Sequence, residues 1–518
     1  MSRQKNQPEQ KISQQMQKLN EELKEIPVSP SLAENVETLK SLFDKDDTFL
    51  VREVQSQKDP AQQYVVAYCA GMIDNGFVSE NIIWPLTYSE LKRTEEGYLD
   101  AVARQVLLVH NPTAIENFQQ VVEAVTYGDS VLFVPGENKA LTLSTQGFPL
   151  RGVSEPDGEI ALSGPKEGFG ESLILNLAFL HRRLRTHDLK MEMRSFGVRS
   201  RTQACICYLD SLVNRPALEE LWRRLDSIDI DGVLDANYLN ELIRDNPLSP
   251  FRSTGYTERP DVVAGKLLEG RIAIVLDGTP VVLTIPYLFI ENFQSNEDYY
   301  LSFYYTSFSR MLRIMGFLLS ILTPSLYLVV TTYHYELLPT SLLLNIASER
   351  LNVPFPMALE LLLMLVMFDI LRETGVRMTS GVGQAMSVVG ALVLGSAAVD
   401  AKIVSSLVII MVALTGITSL LVPKLNAPTL MARMFLFAFA AFGGFPGLTM
   451  GCAFLLVHML RLKSFGLWQI SPTGDLQYQQ FKDIGFRAPL WQMRQRPAAI
   501  ASPSHLTRLG QTKRRWWN

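Results

Sequence analysis

The hydrophobic positions of this chain follow one pattern before about residue 310 and a different pattern after it. Before that point, short apolar runs alternate with turn signals, as in NFQQVVEAVTYGDSVLFVPG, where the pattern predicts a helix followed by a strand and a turn. After it, the apolar runs lengthen toward the roughly 20 residues that a membrane-spanning helix needs. The pattern therefore predicts a soluble region followed by a membrane region.

The soluble region is predicted to consist of two small α/β subdomains, residues 37–160 and 161–290. In the second, the glycine-rich stretch SGPKEGFGES leads into a helix, and Asp277-Gly278 predicts a hairpin turn. That stretch lacks the Gly-Lys-Ser/Thr ending of a phosphate-binding loop, so a helix cap or a subunit interface is preferred to nucleotide binding. Residues 1–36, rich in Gln, Lys and Glu, are predicted to be a disordered tail.

Residues 312–460 are predicted to be a membrane domain of about four full spans and a broken or re-entrant hairpin. The aromatic stretch 291–311 before it is typical of a segment at the membrane interface. A break at the GGFPG sequence, 443–447, would keep the basic tail, 461–518, in the cytoplasm, whereas an unbroken helix would place it outside. The predicted fold class is a multi-pass α-helical membrane protein with an N-terminal soluble region of two small α/β subdomains.

Charge and residue usage agree with this division. The chain has a net charge of −4, with an acidic excess before residue 310 and a basic excess in the tail. The first residues contain no apolar core of the kind that a secretory signal requires, so the soluble region is predicted to stay in the cytoplasm. The 4 cysteines are too scattered for a disulfide framework. The 6 histidines show no metal-ligand spacing and no nucleophile motif is found, so no enzyme activity, metal or cofactor is expected.

The third predicted span, 381–399, consists mainly of glycine, alanine, serine and valine. Small residues let helices approach closely, which serves ordinary packing and equally serves a pore-lining helix with a narrow gate. The residues alone leave both interpretations open. The candidates for lining or gating a pore are Ser387, Gly390, Leu394, Gly395 and Ala398.

Charged residues lie within and beside the second and third predicted spans, where charge is costly and therefore indicates function. The candidates for hinge positions and charge pairs are Asp369, Arg372, Glu373, Arg377, Asp400 and Lys402. Asp369 is placed to pair with Arg372 or to reach the membrane interface. Glu360 precedes it by about two and a half helical turns, on the opposite face, so the two acids are not expected to share a partner.

Several motifs occur together in one order along the chain. They are SGPKEGFGESLILNLAFLHRRLR, ERPDVVAGKLLEGRIAIVLDGTPVVLTIP, VPFPMALELLLMLVMFDILRETGVRM, GVGQAMSVVGALVLGSAAVDAKIVSS and RAPLWQMRQRP. From Leu39 to Pro497 the chain resembles the A subunit of the GerA-type spore germination receptor family. It departs from that family after Arg377, where Met378-Thr379-Ser380 stands in place of the usual proline, so the geometry of a hinge there is left open.

The resemblance implies a nutrient receptor subunit in the inner membrane of a bacterial spore, with its terminal regions in the cytoplasm. It also implies three kinds of partner: a transporter-like B subunit, a lipoprotein C subunit, and further A subunits in a homo-oligomer around an ion-conducting pore. Contact with membrane lipid is expected and contact with nucleic acid is not. The leading hypothesis is a nutrient-gated ion channel that triggers germination. The alternative is a non-conducting scaffold that couples nutrient binding in the transporter-like partner to a separate channel.

Overall fold

Two antiparallel sheets and a set of apolar helices make up the described part of the chain. The computed structural model describes residues 23–59, 62–89, 97–147, 159, 163–351, 353–377, 395–470, 483–493, 495–497 and 500. Each of the two larger sheets has 5 strands, and both precede the apolar helices in the chain.

The first sheet follows helix α1 (Leu32–Leu42). Its strands are β1 (Phe49–Gln55), β2 (Gln63–Cys69), β3 (Thr113–Ile115), β4 (Ser130–Phe133) and β5 (Ala140–Leu143). The strand order is β1-β2-β4-β5-β3, with antiparallel pairing throughout. The helices that connect these strands are α2 (Asn75–Val78), α3 (Trp84–Tyr88), α4 (Tyr98–Ala101) and α5 (Phe118–Tyr127). Helix α5 begins where the Asn117 side chain accepts a hydrogen bond from the Gln120 N–H and ends at Gly128, which has a φ of 101°.

The second sheet follows helix α6 (Leu173–Arg183) and has the same strand order as the first. Its strands are β6 (Leu189–Phe196), β7 (Thr202–Leu209), β8 (Gly255–Thr257), β9 (Ile272–Leu276) and β10 (Val282–Ile285). They are arranged β6-β7-β9-β10-β8, again antiparallel. The helices that connect them are α7 (Arg215–Asp226), α8 (Ala236–Ile243) and α9 (Pro260–Leu267).

The two α/β subdomains are therefore structural repeats, and local contacts support this conclusion. Asn35 in α1 and Asn176 in α6 are both buried, and each clasps the backbone 6 residues earlier. The Asn35 Nδ2 donates to the Ser29 carbonyl at 2.6 Å, and the Asn176 Nδ2 donates to the Gly170 carbonyl at 2.7 Å. The sequence pattern did not predict this repetition, because it lies in topology and in side-chain roles more than in shared residues.

Both sheets are covered on two faces, which explains their almost continuous apolar strands. In β2, Val65 and Val66 point into different hydrophobic clusters on opposite sides of the first sheet. In β7, Cys205 and Ile206 do the same in the second sheet. Strands buried on both faces lose the alternation of polar and apolar residues that marks a half-exposed strand.

The two repeats contact each other through α6 and the start of β1. Ala178 in α6 packs into a core cluster of the first subdomain. Beside it, the Thr48 hydroxyl lies 2.8 Å from Nε2 of His181, and Asp46 forms a β-bridge with Met191. Polar contacts thus fix the orientation of one repeat relative to the other.

The region after the second sheet is helical. Its helices are α10 (Phe303–Thr332), α11 (Thr340–Arg350), α12 (Met357–Arg377), α13 (Ser406–Ser419) and α14 (Asn426–Arg461), and residues 395–400 are also helical. Helix α14 is interrupted at Gly444, which has φ 59° and ψ −140°. The ring of Phe439 lies 5.9 Å from that of Phe454, so the two arms of α14 fold back on each other.

The two ends of the α14 hairpin lie near the soluble subdomains. Before it, the Lys424 Nζ lies 2.9 Å from Oε1 of Glu159, and near its end the His458 Nε2 lies 2.9 Å from the Ser249 hydroxyl. At its tip, the Tyr333 hydroxyl donates to the Ala441 carbonyl at 2.5 Å. The hairpin therefore runs alongside α10 to the end of the helical region that lies far from the soluble subdomains.

The predicted multi-pass fold class was wrong. The chain is a mixed α/β protein with two 5-stranded sheets, and by length and composition 2 helices in its described part qualify as membrane spans, Phe303–Thr332 and Pro423–Arg461. Helix α13 has 14 residues, which rise about 21 Å, less than the roughly 30 Å of a hydrocarbon core. Most of the predicted third span, 381–394, lies outside the described residues.

Candidate functional site

The second repeat and the helical region meet at a group of buried and half-buried charges at the start of α10. The Arg310 guanidinium is fully buried. Its Nε donates to Oδ2 of Asp298 at 2.6 Å, and its Nη1 donates to Oδ1 of Asp483 at 2.7 Å. The Arg313 Nη2 donates to Oδ1 of Asp298 at 2.7 Å. Since Asp298 belongs to the segment leaving the second sheet and Asp483 to the C-terminal tail, both of these segments hold α10.

This group, called the junction below, comprises Asp298, Arg310, Arg313 and Asp483. Charges removed from water lose several kcal/mol of solvation each, so a buried pair is retained only when its partners stay together. The tail adds a further restraint, because the Arg487 Nη1 donates to the Leu301 carbonyl at 2.9 Å. The junction is therefore a tight connection between the second repeat and α10.

A second charged cluster holds the segment between the second sheet and α10. The Arg271 Nη1 donates to Oε1 of Glu291 at 2.6 Å, and the Lys266 Nζ lies 3.1 Å from Oε2 of the same carboxylate. Burial lowers the pKa of Lys266, and the Glu291 charge offsets part of that effect. Burial raises the pKa of Glu291, but Arg271 and Lys266 outweigh it and hold that pKa below its usual value. Burial is thus the main cause of the lowered pKa of Lys266, whereas the two neighbouring cations cause the lowered pKa of Glu291.

A cavity of about 770 Å³ lies beside this cluster. Lys266 of the second repeat and Tyr299 of the segment after it line part of the cavity. Lys424, just before α14, and Arg496 of the tail line other parts of it. Because these parts of the chain are far apart in sequence, a shift of the helical region relative to the second repeat would change the shape of the cavity.

Asp369 connects two helices of the apolar region. Its Oδ2 accepts a hydrogen bond from Nη2 of Arg433 at 2.6 Å, and its Oδ1 lies 3.3 Å from Nη2 of Arg372. Sequence reasoning paired Asp369 with Arg372 but did not single out Arg433, which is 64 positions away. The sequence did contain a signal that could have identified Arg433. An arginine within an apolar run is costly without a partner, so it indicates that an acid lies nearby in the fold.

Glu360, at the other end of α12, has different partners. Its Oε1 accepts hydrogen bonds from the backbone N–H and from the hydroxyl of Ser405, both at 2.6 Å. Ser405 is the N-cap residue of α13, so this carboxylate fixes the start of that helix.

The remaining predicted site residues differ in how deeply they are buried. Gly395 is buried and Ala398 half-buried in the helical stretch 395–400, while Glu373, Asp400 and Lys402 are exposed. The pore candidates Ser387, Gly390 and Leu394, and the side chain of Arg377, lie outside the described residues.

Within the described ranges, no group of 3 or more His, Cys, Asp or Glu side chains is placed to hold a metal ion. The four cysteines are free, and Cys69, Cys205 and Cys207 are buried. Burial raises the pKa of the Cys69 and Cys205 thiols, which disfavours a reactive thiolate at either position. The chemistry of this site is that of charge pairing between segments.

These features define a class of protein in which an α/β region of two repeats is joined through ion pairs to helices of membrane-spanning length. The chain belongs to the GerA family, described as the Bacillus/Clostridium GerA spore germination protein, whose sequence profile matches residues 37–499. The family resemblance found in the sequence is thereby confirmed.

Named relatives agree with this family over most of the chain. Spore germination protein KA of Bacillus subtilis is 38% identical, over 92% of this chain and 88% of its own. The uncharacterized membrane protein YfkQ of the same organism is 35% identical, over 93% of each chain. The crystal structure of the N-terminal domain of the A subunit of the Bacillus megaterium spore germinant receptor GerK3 is 29% identical, with a TM-score of 0.41, covering 51% of this chain and 97% of that domain.

Proposed function

We propose that this chain is the A subunit of a nutrient germinant receptor in the inner membrane of the spore. In this proposal several A subunits assemble into a nutrient-gated ion channel that triggers germination. A transporter-like B subunit and a lipoprotein C subunit are the further partners. Membership of the GerA family and identities of 38% and 32% to spore germination proteins KA and B1 of Bacillus subtilis support the germination role.

The junction is the observation that supports gating. Arg310 ties α10 both to the segment after the second sheet and to the tail, at 2.6 and 2.7 Å. A flexible linker would absorb a movement of the soluble region, but ion pairs centred on the buried Arg310 and Asp298 transmit it. We therefore expect a rotation of the second repeat to displace α10 and the helices packed against it.

The conducting role is tested with the full-length chain and its B and C subunits in liposomes, using ion flux on nutrient addition. A bulky side chain in a narrow pore blocks flux, so Gly390→Phe and Gly395→Phe should abolish the nutrient response while assembly, measured by size-exclusion chromatography, is unchanged. The matched control is Gly443→Phe in the α14 hairpin, where a Cβ would meet nothing within 4 Å.

Two results would count against the proposal. Normal flux in Gly390→Phe and Gly395→Phe would remove this stretch from the pore. An assembled wild-type receptor that responds to nutrient in spores but conducts no ion in liposomes would favour the scaffold alternative, in which the chain couples the B subunit to a separate channel.

A further inference from the structure

Leu248 is a fully exposed leucine in a loop of the second repeat that is held firmly in place. It lies between α8 and β8, and its relative exposure is 99%. The Arg244 Nε donates to the Asn246 carbonyl at 3.0 Å, and the Arg244 Nη2 donates to the Ser249 carbonyl at 2.6 Å. One guanidinium thus fixes the backbone on both sides of Leu248. Single exposed leucines are common on protein surfaces, so the position of this one decides what it indicates.

The Leu248 loop lies beside the last turns of α14. The hydroxyl of the neighbouring Ser249 is 2.9 Å from Nε2 of His458, and the buried Phe251 ring lies 6.1 Å from the His458 ring. Three apolar side chains of those turns are exposed, namely Leu456, Val457 and Leu460. Leu248 is therefore adjacent to the exposed apolar surface of a helix that has the length and composition of a membrane span.

A short hairpin after α14 adds a cation and a tryptophan at the same level. Its strands are β11 (Lys463–Ser464) and β12 (Leu467–Trp468). The Ser464 hydroxyl donates to the Ser253 carbonyl at 2.6 Å, which joins the hairpin to the chain just after the Leu248 loop. Lys463 and Trp468 are both exposed, and the Lys463 Nζ lies 4.3 Å from the centroid of the Trp468 ring. Lysine and tryptophan beside an apolar surface are typical of the boundary between membrane and water.

We infer that the Leu248 loop and the β11–β12 hairpin form a surface that binds membrane lipid. Leu248 enters the acyl chains, and Lys463 lies at the level of the lipid phosphates, whose negative charge it complements. Continuity with the exposed apolar turns of α14 favours lipid over a protein partner. The inference rests on the proposed membrane location and not on ion conduction. It implies that the second repeat is held to the membrane here as well as to α10 at the junction.

The test is quenching of tryptophan fluorescence by brominated lipid. The full-length protein is reconstituted in phosphatidylglycerol and phosphatidylcholine vesicles, with the acyl chains either unmodified or brominated near the headgroup. Bromine quenches only the tryptophans that it contacts. Leu248→Trp adds one tryptophan, and subtracting the wild-type signal removes the contribution of the 6 native tryptophans. We expect brominated lipid to remove most of the fluorescence that Leu248→Trp adds.

Two matched variants locate this effect. Leu234→Trp alters a leucine at the other end of α8, which is 70% exposed, and brominated lipid should not reduce the fluorescence that it adds. Leu318→Trp alters an exposed position of α10 and reports whether that helix crosses the bilayer, so its added fluorescence should be quenched.

Native tryptophans give a second measurement that does not depend on an introduced side chain. Trp468→Phe should reduce the amount of fluorescence that brominated lipid removes from the wild type. Trp222→Phe should leave that amount unchanged, because the Trp222 ring packs against the core of the second repeat.

Quenching in Leu318→Trp without quenching in Leu248→Trp would overturn the inference and leave the proposed membrane location intact. A protein chain that covers Leu248 would give this result. Equal quenching in Leu248→Trp and Leu234→Trp would also overturn the inference. An absence of quenching in Leu318→Trp would contradict the proposed membrane location, and the lipid-binding surface with it.

Discussion

The two α/β repeats have the same strand order but differ in what they contact. In the described part of the first repeat, the buried charged residues are Asp46 and Asp129, and no lysine or arginine is buried. In the second, Arg259 and Arg271 are 1% and 3% exposed. Arg271 pairs with Glu291 in the segment that leads to α10. One fold thus occurs twice, and the second copy carries the cations that hold the connection to the helical region.

Equivalent turns after β2 and β7 show the same difference. Gly71 in the first repeat has a φ of 78°, and a Cβ there would lie 2.6 Å from Cγ2 of Ile174 in α6. Its counterpart Ser211 donates from its N–H to Oδ1 of Asp188 at 2.9 Å, within its own subdomain. The first repeat uses this turn to dock against the second, whereas the second closes its turn internally. Topology is therefore shared and contact surface is not.

The largest expected effect comes from breaking the junction. Asp298→Ala leaves the Arg310 guanidinium without one of its two carboxylates, and it leaves Arg313 without the only carboxylate that pairs with it among the described residues. We therefore expect a loss of about 3–5 kcal/mol in unfolding free energy. Thermal and denaturant unfolding of the full-length protein in detergent measure this loss. We also expect nutrient-triggered germination to fail, because α10 is released from the second repeat.

The control for that change is an acid of the first repeat. Glu116 pairs with Lys139 at the surface, at 2.7 Å, with side chains 67% and 43% exposed. Glu116→Ala should leave both unfolding and germination unchanged, since solvent screens exposed pairs. Equal losses of unfolding free energy in Asp298→Ala and Glu116→Ala would contradict the conclusion that the charges at the junction hold the second repeat to the helical region.

A reciprocal exchange of residues between the repeats should give an intermediate effect. Gly71→Ser places the residue of the second repeat into the first, where the left-handed backbone and the contact with Ile174 oppose it, and should cost about 1–3 kcal/mol. Gly170→Ser makes the opposite exchange, since its counterpart is Ser29, and a Cβ at Gly170 meets nothing within 4 Å. That variant should stay within about 0.5 kcal/mol of the wild type. Denaturant unfolding measures the free energy of unfolding of both variants. Equal losses in Gly71→Ser and Gly170→Ser would contradict the expected difference between the two positions.

Local signals in the sequence were sufficient for parts of the fold. The turn at Asp277-Gly278 does lie between β9 and β10, with Gly278 at a φ of 83°, because only a few residues determine such a turn. The glycine-rich break in the last apolar run also lies where the structure interrupts α14, at Gly444. Both features depend on backbone preferences that adjacent residues set by themselves.

The contacts that join distant segments could not be predicted in the same way. Arg310 and Asp483 are 173 positions apart, and Glu360 and Ser405 are 45 apart. A single sequence shows that a charge in an apolar run needs a partner, but many acids or hydroxyls satisfy that need equally well. In the described part of the chain 2 helices have the length and composition of a membrane span. Hydropathy did not distinguish the short helix α13, which packs against other helices, from a helix that crosses a bilayer.

The smallest predicted effect concerns the contact between the repeats and depends on pH. Burial lowers the pKa of His181 below its usual value of 6.5, and Asp46, 3.9 Å from Nε2, offsets part of that effect. The unfolded chain then binds the proton more readily than the folded one, so this contribution to stability is complete above about pH 6.5 and is lost as the pH falls below it. The slope should not exceed about 1.4 kcal/mol per pH unit for one proton.

Denaturant unfolding of the full-length protein between pH 7.5 and pH 5 measures this slope. His181→Gln removes the titrating group and keeps a polar partner for Thr48, so it should flatten the part of the slope that His181 causes. His187, whose pKa burial also lowers, contributes a separate part that His187→Gln should remove. An unchanged slope in His181→Gln would mean that proton binding at the contact between the repeats does not influence stability, and that Thr48 and His181 act there through packing alone.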